Sequence, residues 1–490
     1  MSTEDWILLS FFVLFILAFG MTPLWTRLEE KRKWSGKPGP LYTPRLPFYF
    51  TTYLVLPAFL TTLFIIDGNW QELLMGEYAI PILVCVLYYG LLLLLRPVYR
   101  RFLRPESCAF LWTLCWLPFY FRRTRQLRHL SRWMITLPVP YPGSAWLWWP
   151  VTVWFIGFWC VLLWYMVSHI CYRKWLFRES RQVCEGIVLE VFKKQRNIVS
   201  PHFDDIPVWV SGRTRTPVSI GLFLHTTCIV LPEKDYTKEE LELIFFHELV
   251  HISRRDSTTK LGMAFCTALM WFNPFVWIAT KKCADDLELS CDEAVLYRRD
   301  SEARRQYAEL LLQTTASEWG FTTCLSASAK ALRYRLKGVM NPRKRIVGSA
   351  VSVILLFAVF MGIFCLGFRF QAEPASRLIF DDQDLSGCQE VSIMDSWGLL
   401  GGESSPDISK PQQLIQYLAG MSLYPTVGRN DVRREDYIQI SFLLSDISYH
   451  ILMGERYMKV IKVSDDFETE YYYELEKQPD WEYICSCLEQ

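Results

Sequence analysis

The chain has 490 residues, of which 51 % are apolar and 16 % aromatic, with a positive mean hydropathy. That is the composition of a membrane protein with soluble parts, not of a wholly soluble one. The net charge of +1 hides an asymmetry: residues 96–133 are rich in arginine, while residues 369–490 carry 22 acidic against 10 basic side chains, which excludes that tail as a binder of nucleic acid or anionic lipid.

In chain order, five segments are long and apolar enough to span a bilayer: 6–25, 47–66, 78–95, 145–170 and 346–368. The first has Glu4 and Asp5 at its leading end and Arg27 behind it, the wrong order for a cleaved signal peptide and one that places the N-terminus outside. Residues 26–45 hold six basic side chains and read as cytoplasmic, whereas 67–76 is acidic without a base and reads as external. Lys337, Arg343, Lys344 and Arg345 crowd the start of the last span and put that end in the cytoplasm. Residues 1–170 are then an N-terminal transmembrane region and 171–345 a cytoplasmic domain. Residues 346–368 are the last span, and 369–490 form an extracytoplasmic tail. These assignments agree only if residues 96–145 contribute one more crossing. Segment 107–121 is the candidate, as a span or a re-entrant piece, so five and six crossings both stay open.

Residues 261–280 are uncharged, yet Asn273-Pro274 interrupts them, and a span there would part the acidic residues that follow from the histidines that precede. They read as a helix buried in the domain or dipping into the membrane surface. In the tail, 437–444, 457–463 and 470–475 read as strands, giving a small α+β or β-rich domain. The fifteen cysteines form no CxxC pair and are mostly small apolar residues; Cys388 has either Cys485 or Cys487 as a partner for a disulfide, and the odd count leaves that pairing open.

The chemistry concentrates at HELVH, residues 247–251, in a chain with only seven histidines. Residues four apart share a helix face, so His247 and His251 can hold one Zn²⁺ while Glu248 reaches the water activated there. Thr237 and Glu240 read as a capping box that opens a helix through about Arg255, with Leu241, Ile244, Phe245, Leu249 and Ile252 as its apolar face. A catalytic zinc takes a third protein ligand and keeps one position open. His450, deep in the tail, is the only histidine after His251, and position 257 is serine, so a carboxylate has to serve. Glu288 is the candidate, in a run where Asp285, Glu288 and Asp292 share one helix face and Asp292 would accept a hydrogen bond from a ligand imidazole. The plain alternative is a solvated acidic face. Asp256 reads equally as a partner of a ligand histidine or as a cap for the next helix. In the expected reaction, zinc acidifies water and polarises the peptide carbonyl, and Glu248 moves the proton to the leaving amine. Tyr297, Tyr307 or a nearby arginine would stabilise the oxyanion.

HELVHISRRD (247–256), WFNPFVW (271–277) and ELSCDEAVL (288–296) together resemble the membrane zinc metallopeptidases of the BlaR/MecR antirepressor type. TPVSIGLFLHTTCIVLP (216–232) and LRYRLK (332–337) fit the same pattern, and the resemblance covers about residues 145–370. It implies His247, His251 and Glu288 as zinc ligands and Glu248 as catalytic base. The implied fold is mainly α: a polytopic membrane protein with a helical gluzincin-like domain in the cytoplasm. In such proteins an outside β-lactam-binding domain signals inward and the peptidase inactivates a DNA-bound repressor. This tail, about 120 residues without a Ser-x-x-Lys motif, is too short for a penicillin-binding domain, so β-lactam sensing does not carry over.

Three functions are therefore in view. The first is a multi-pass cell-membrane zinc endopeptidase that transduces an external signal by cleaving itself or a cytoplasmic transcriptional repressor, with no direct nucleic-acid contact and with a homodimer as a candidate assembly. The second is a housekeeping protease for membrane or prenylated proteins. The third, a receptor with a relict site, is opposed by the presence of every expected ligand and base. Two dibasic pairs, Arg298-Arg299 and Arg304-Arg305, are candidate self-cleavage points or simply solvated helix residues.

Overall fold

The computed structural model describes residues 79–114, 135–139, 144–199, 206–221, 226–297, 299–315, 329–341, 345–394, 408–425, 437–464 and 468–488, with a few positions between 17 and 28. The expected spans at 6–25 and 47–66 lie essentially outside these residues, as does the second part of segment 107–121. The described chain is mainly helical with a β-rich tail. It divides into two compact units, one of Met1–Ile66, Pro81–Ser131 and Thr152–Ile363, the other of Asp67–Ile80, Arg132–Val151 and Phe364–Gln490.

Helix α1 (Ala79–Phe102) runs past its apolar stretch into Arg96, Arg100 and Arg101. Only Leu103 and Arg104 separate it from α2 (Pro105–Thr113). Arg104 is extended, as a residue before proline prefers, and Pro105 opens the next helix at a position where its missing N–H costs nothing. After β1 (Ile135–Val139) comes α3 (Ser144–Phe177), 34 residues long. Pro81–Phe102 and Thr152–Phe177 are both long and apolar enough to cross a membrane. Only 6 % of the most apolar window in the latter is buried, which a core helix of a soluble protein would not show.

Next come β2 (Ser180–Gln182), α4 (Ile187–Val199), β3 (Val208–Ser211), β4 (Val218–Ile220) and β5 (Cys228–Pro232). The strands form a small sheet in the order β2-β3-β5-β4, parallel only between β3 and β5. Helix α5 (Lys238–Arg254) starts where the sequence places it: Thr237 Oγ1 accepts from Glu240 N at 3.2 Å, and Glu240 Oε2 accepts from Thr237 N at 2.9 Å. All five expected apolar positions of α5 are buried. Phe245 is fully enclosed and meets Phe192 of α4 edge-on at 5.4 Å, over Val208, Ile229 and Leu231 of the sheet. Each such side chain contributes roughly 1.5–3 kcal/mol, so the helix bearing HELVH is set firmly before any metal binds.

The uncharged run 261–280 is not one helix. It holds the end of α6 (Asp256–Leu269), a turn, and the start of α7 (Pro274–Val295), where Asn273 caps by accepting from Phe275 N at 3.0 Å. The turn is anchored to α3: Trp154 Nε1 donates to Leu269 O (2.8 Å) and Trp271 Nε1 to Trp154 O (3.2 Å). Gly157 makes room for this, since a Cβ there would lie 2.2 Å from the Trp271 ring. The unit ends with α8 (Ser301–Thr315), α9 (Ala329–Met340) and most of α10 (Ser349–Cys365).

In the second unit, the expected span 346–368 gives way to β-structure at its end. Its last residues belong to β6 (Leu366–Phe370), which pairs in parallel with β1. The tail continues through β7 (Glu373–Pro374), α11 (Ala375–Leu378), β8 (Gln389–Met394), α12 (Pro411–Gly420) and β9 (Ser422–Pro425). A meander follows of β10 (Ile438–Leu444), β11 (Ile447–Met453), β12 (Tyr457–Val463) and β13 (Glu468–Leu475), before α13 (Trp481–Ser486). Seven strands form one antiparallel sheet, β7-β9-β13-β12-β11-β10-β8. Strict alternation buries Ile438, Ile440, Phe442 and Leu444 of β10, against Leu414, Leu418 and Ile484 from the helices. Cys388 is a free thiol, so neither anticipated disulfide forms.

Candidate metal centre

HELVH lies on the buried face of α5, with His247, Glu248 and His251 each less than a tenth exposed. The two imidazoles present Nε2 atoms 3.1 Å apart. Glu288, one turn past the middle of α7, brings Oε2 to 3.5 Å from the first and 3.4 Å from the second. A tetrahedral ion with bonds near 2.05 Å needs donor atoms about 3.3 Å apart, and this triangle has those edges. The donor set, two imidazoles and a carboxylate, fits a divalent ion of the zinc type.

The remaining ring nitrogens are accounted for. Arg255 closes α5 in the left-handed region (φ 51°, ψ 48°) and turns the chain straight into α6. Asp256 thereby becomes the first residue of α6, with its Oδ2 2.8 Å from His251 Nδ1. It faces His251, and the N-cap position of α6 belongs to Arg255. Asp292 does not touch an imidazole directly; its Oδ1 is 3.6 Å from His247 Nδ1. Tyr307 of α8 fills the gap, donating its hydroxyl proton to Asp292 Oδ1 at 2.7 Å and accepting from His247 Nδ1 at 3.0 Å. Both histidines therefore carry their protons on Nδ1 and turn lone pairs toward Glu288. Three acceptors converging on one point require a positive charge between them.

The same convergence of charge shifts the protonation of these side chains. Burial opposes a charge on His251, but Cys291, Glu288 and the Asp256 hydrogen bond outweigh it and raise its pKa well above the ordinary value. Burial likewise opposes ionisation of Glu288, yet His251 and Lys260 hold its carboxyl well below the usual range.

Three neighbours carry no signal in the local sequence pattern. Arg335 of α9 makes a bidentate pair with Asp292 (Nε–Oδ2 2.8 Å, Nη2–Oδ1 2.7 Å) and extends Nη1 to 3.4 Å from Glu288 Oε2. Lys260 of α6 approaches the other oxygen, Glu288 Oε1, at 3.3 Å. Cys291 lies 3.4 Å from His251 Nδ1, fully buried. In sequence, Arg335 stands only within LRYRLK and Cys291 only within ELSCDEAVL, where the resemblance assigns neither a role. Asp285 turns away from the cluster and pairs with Lys282 at 2.9 Å. Tyr307 is enclosed and committed to His247 and Asp292, which removes it as an oxyanion donor, and Tyr297 sits in the turn after α7. The dibasic pair 304–305 is inside α8, where Arg304 donates to Leu296 O and Val339 O, a poor geometry for cleavage.

Residues 140–339 match the family described as BlaR1 peptidase M56. Through this segment the chain is similar to proteins of the BlaR/MecR type. It is 28 % identical over 161 residues to the regulatory protein BlaR1 of Bacillus licheniformis, covering 30 % of this chain and 26 % of that protein. It is 25 % identical over 168 residues to the methicillin resistance mecR1 proteins of Staphylococcus aureus strain Mu50 and Staphylococcus epidermidis, covering 32 % of this chain and 28 % of each. The match thus spans little more than a quarter of these relatives. The matched segment contains every side chain of the candidate metal cluster, from His247 to Arg335. The tail and α1 lie outside it. The match is thus to a peptidase family, and two helices of this chain are long and apolar enough to cross a membrane.

Proposed function

We propose that this protein is a zinc endopeptidase of the cell membrane that converts an external signal into cleavage of itself or of a cytoplasmic regulator, a repressor being the substrate class its relatives' regulatory role suggests. The observation that carries the reading is the donor triangle of His247, His251 and Glu288, with Glu248 buried between the histidines. A bound zinc ion would supply Lewis acidity, acidifying water and polarising the peptide carbonyl. Glu248 takes the proton from the attacking water and delivers it to the leaving amide nitrogen. Asp256 and Tyr307 keep His251 and His247 in the tautomer whose Nε2 is free for the ion. Arg335 fixes Asp292, and through it Tyr307.

The extracytoplasmic assignment of the tail rests on sequence, on the basic residues Arg343, Lys344 and Arg345 ahead of α10. Glu248→Gln is expected to keep its zinc and its fold while losing about 10²–10⁴-fold in cleavage rate. Undiminished proteolysis by that variant would refute the mechanism. Used as a substrate trap, the same variant should capture one regulator; a broad set of membrane proteins would favour housekeeping proteolysis instead.

A further inference from the structure

Helix α7 carries two acidic rows, and only one faces the metal. Side chains on a helix are 100° apart, so Asp286 points nearly opposite to Glu288, while Glu293, seven residues on, returns to the Asp286 side. Asp286 is completely buried, a rare state for a carboxylate unless it is paired. It is paired on every side. Arg100, near the end of α1, forms an ion pair with Oδ1. The Tyr334 hydroxyl of α9 donates to Oδ1 at 3.1 Å, and Trp112 Nε1 of α2 donates to Oδ2 at 2.9 Å. The Arg100 guanidinium also stacks 4.4 Å above the Tyr334 ring and reaches Lys282 O at 3.4 Å. Further along the row, Glu293 lies between Arg104 (3.5 Å) and Arg345 (2.5 Å).

Tyr334 and Arg335 are adjacent on α9, and they hold the two rows of α7: Tyr334 grips Asp286, and Arg335 grips Asp292 and approaches Glu288. Any rotation of α7 that slackens the first contact swings the second. We propose that Arg100 is a positioning residue for the third metal ligand: through Asp286 and Tyr334 it fixes the rotation of α7, and with it the place of the Glu288 carboxylate beside the two histidines. This rests on the metal reading above and extends it to the arginine-rich region outside the matched segment. It gives that region a task, tying a helix long enough to cross a membrane to the ligand-bearing helix.

The test is zinc affinity of the full-length protein in detergent, measured by competition with a chromophoric chelator, alongside thermal unfolding. Arg100→Gln and Asp286→Asn are expected to weaken zinc binding about 10–100-fold, the range for residues that orient a ligand. Arg100→Lys should recover part of the loss, since it restores the charge without the fork. Cobalt-substituted Arg100→Gln should show a shifted d–d spectrum. Tyr334→Phe keeps the ring under Arg100 and deletes one hydroxyl; it should weaken binding by a smaller factor, and it carries the test if Arg100→Gln does not fold. Lowered melting with unchanged zinc affinity in the folded variants would overturn the proposal, because it would mean a purely structural tie. If the unmodified protein takes up no zinc, the metal reading falls and the proposal with it, an outcome distinct from variants that bind as tightly as the parent.

Discussion

The two units are built on opposite uses of buried polarity. In the tail the layer between sheet and helices is apolar, filled by Ile440, Phe442, Tyr449, Ile451 and Val460; Arg456–Glu474 sits toward solvent, and Lys459, paired with Glu470, is the one buried charge among its described residues. In the first unit the interior around α7 contains Asp256, Asp286, Asp292 and Arg254, each nearly inaccessible. Buried ions are a poor way to gain stability, since desolvation cancels most of their attraction. They do fix geometry. A tail core tolerates small adjustments among hydrocarbon side chains, whereas the charged cluster around α7 has one arrangement in which every charge is answered.

This contrast can be broken by substitution. The largest effect is expected from Arg335→Met, which leaves Asp292 buried without its cation; it should lower stability by about 3–5 kcal/mol and release zinc, as read by unfolding and metal analysis. Stability close to that of the parent would mean that Asp292 is not held as an ion. Asp256→Asn should weaken zinc binding about 10–100-fold with little change in melting, because it disturbs the tautomer of His251 and leaves the packing alone. Ile440→Val in the tail should cost only about 0.5–1.5 kcal/mol and leave zinc affinity untouched. A change in affinity there would show that the two units are not independent in the way their cores suggest.

Much of the fold is written locally. The capping box at Thr237, the apolar stripe of α5, the break at Asn273-Pro274 and the alternation in β10 depend on neighbours a few residues away, and all can be read without coordinates. Strand β11 is harder, since its end, Ile451-Leu452-Met453, is buried on consecutive residues and loses the alternating signal. The site divides the same way. His247, Glu248 and His251 announce themselves by spacing. Glu288 follows from the need for a third ligand, while Tyr307, Lys260 and Arg335 do not. Their roles arise from contacts 28 to 60 positions apart in the chain, and their side chains look solvated when read alone. The Asp285–Asp292 run misleads for a related reason. A helical wheel groups Asp285 with Glu288, but Lys282 turns it aside, and the functional division lies between Glu288 and Asp286.

Arg255 is at once the C-cap of α5 and the N-cap of α6. Its left-handed backbone, costly by about 1 kcal/mol for a side chain that is not glycine, leaves no spare residue between the last turn of α5 and the first of α6. The five-position interval from His251 to Asp256 is therefore a ruler and not a loop. Adding or removing one amino acid at this corner would wheel the carboxylate through a large angle and strand the imidazole proton, so length variation here is closed to the chain even where residue identity is open.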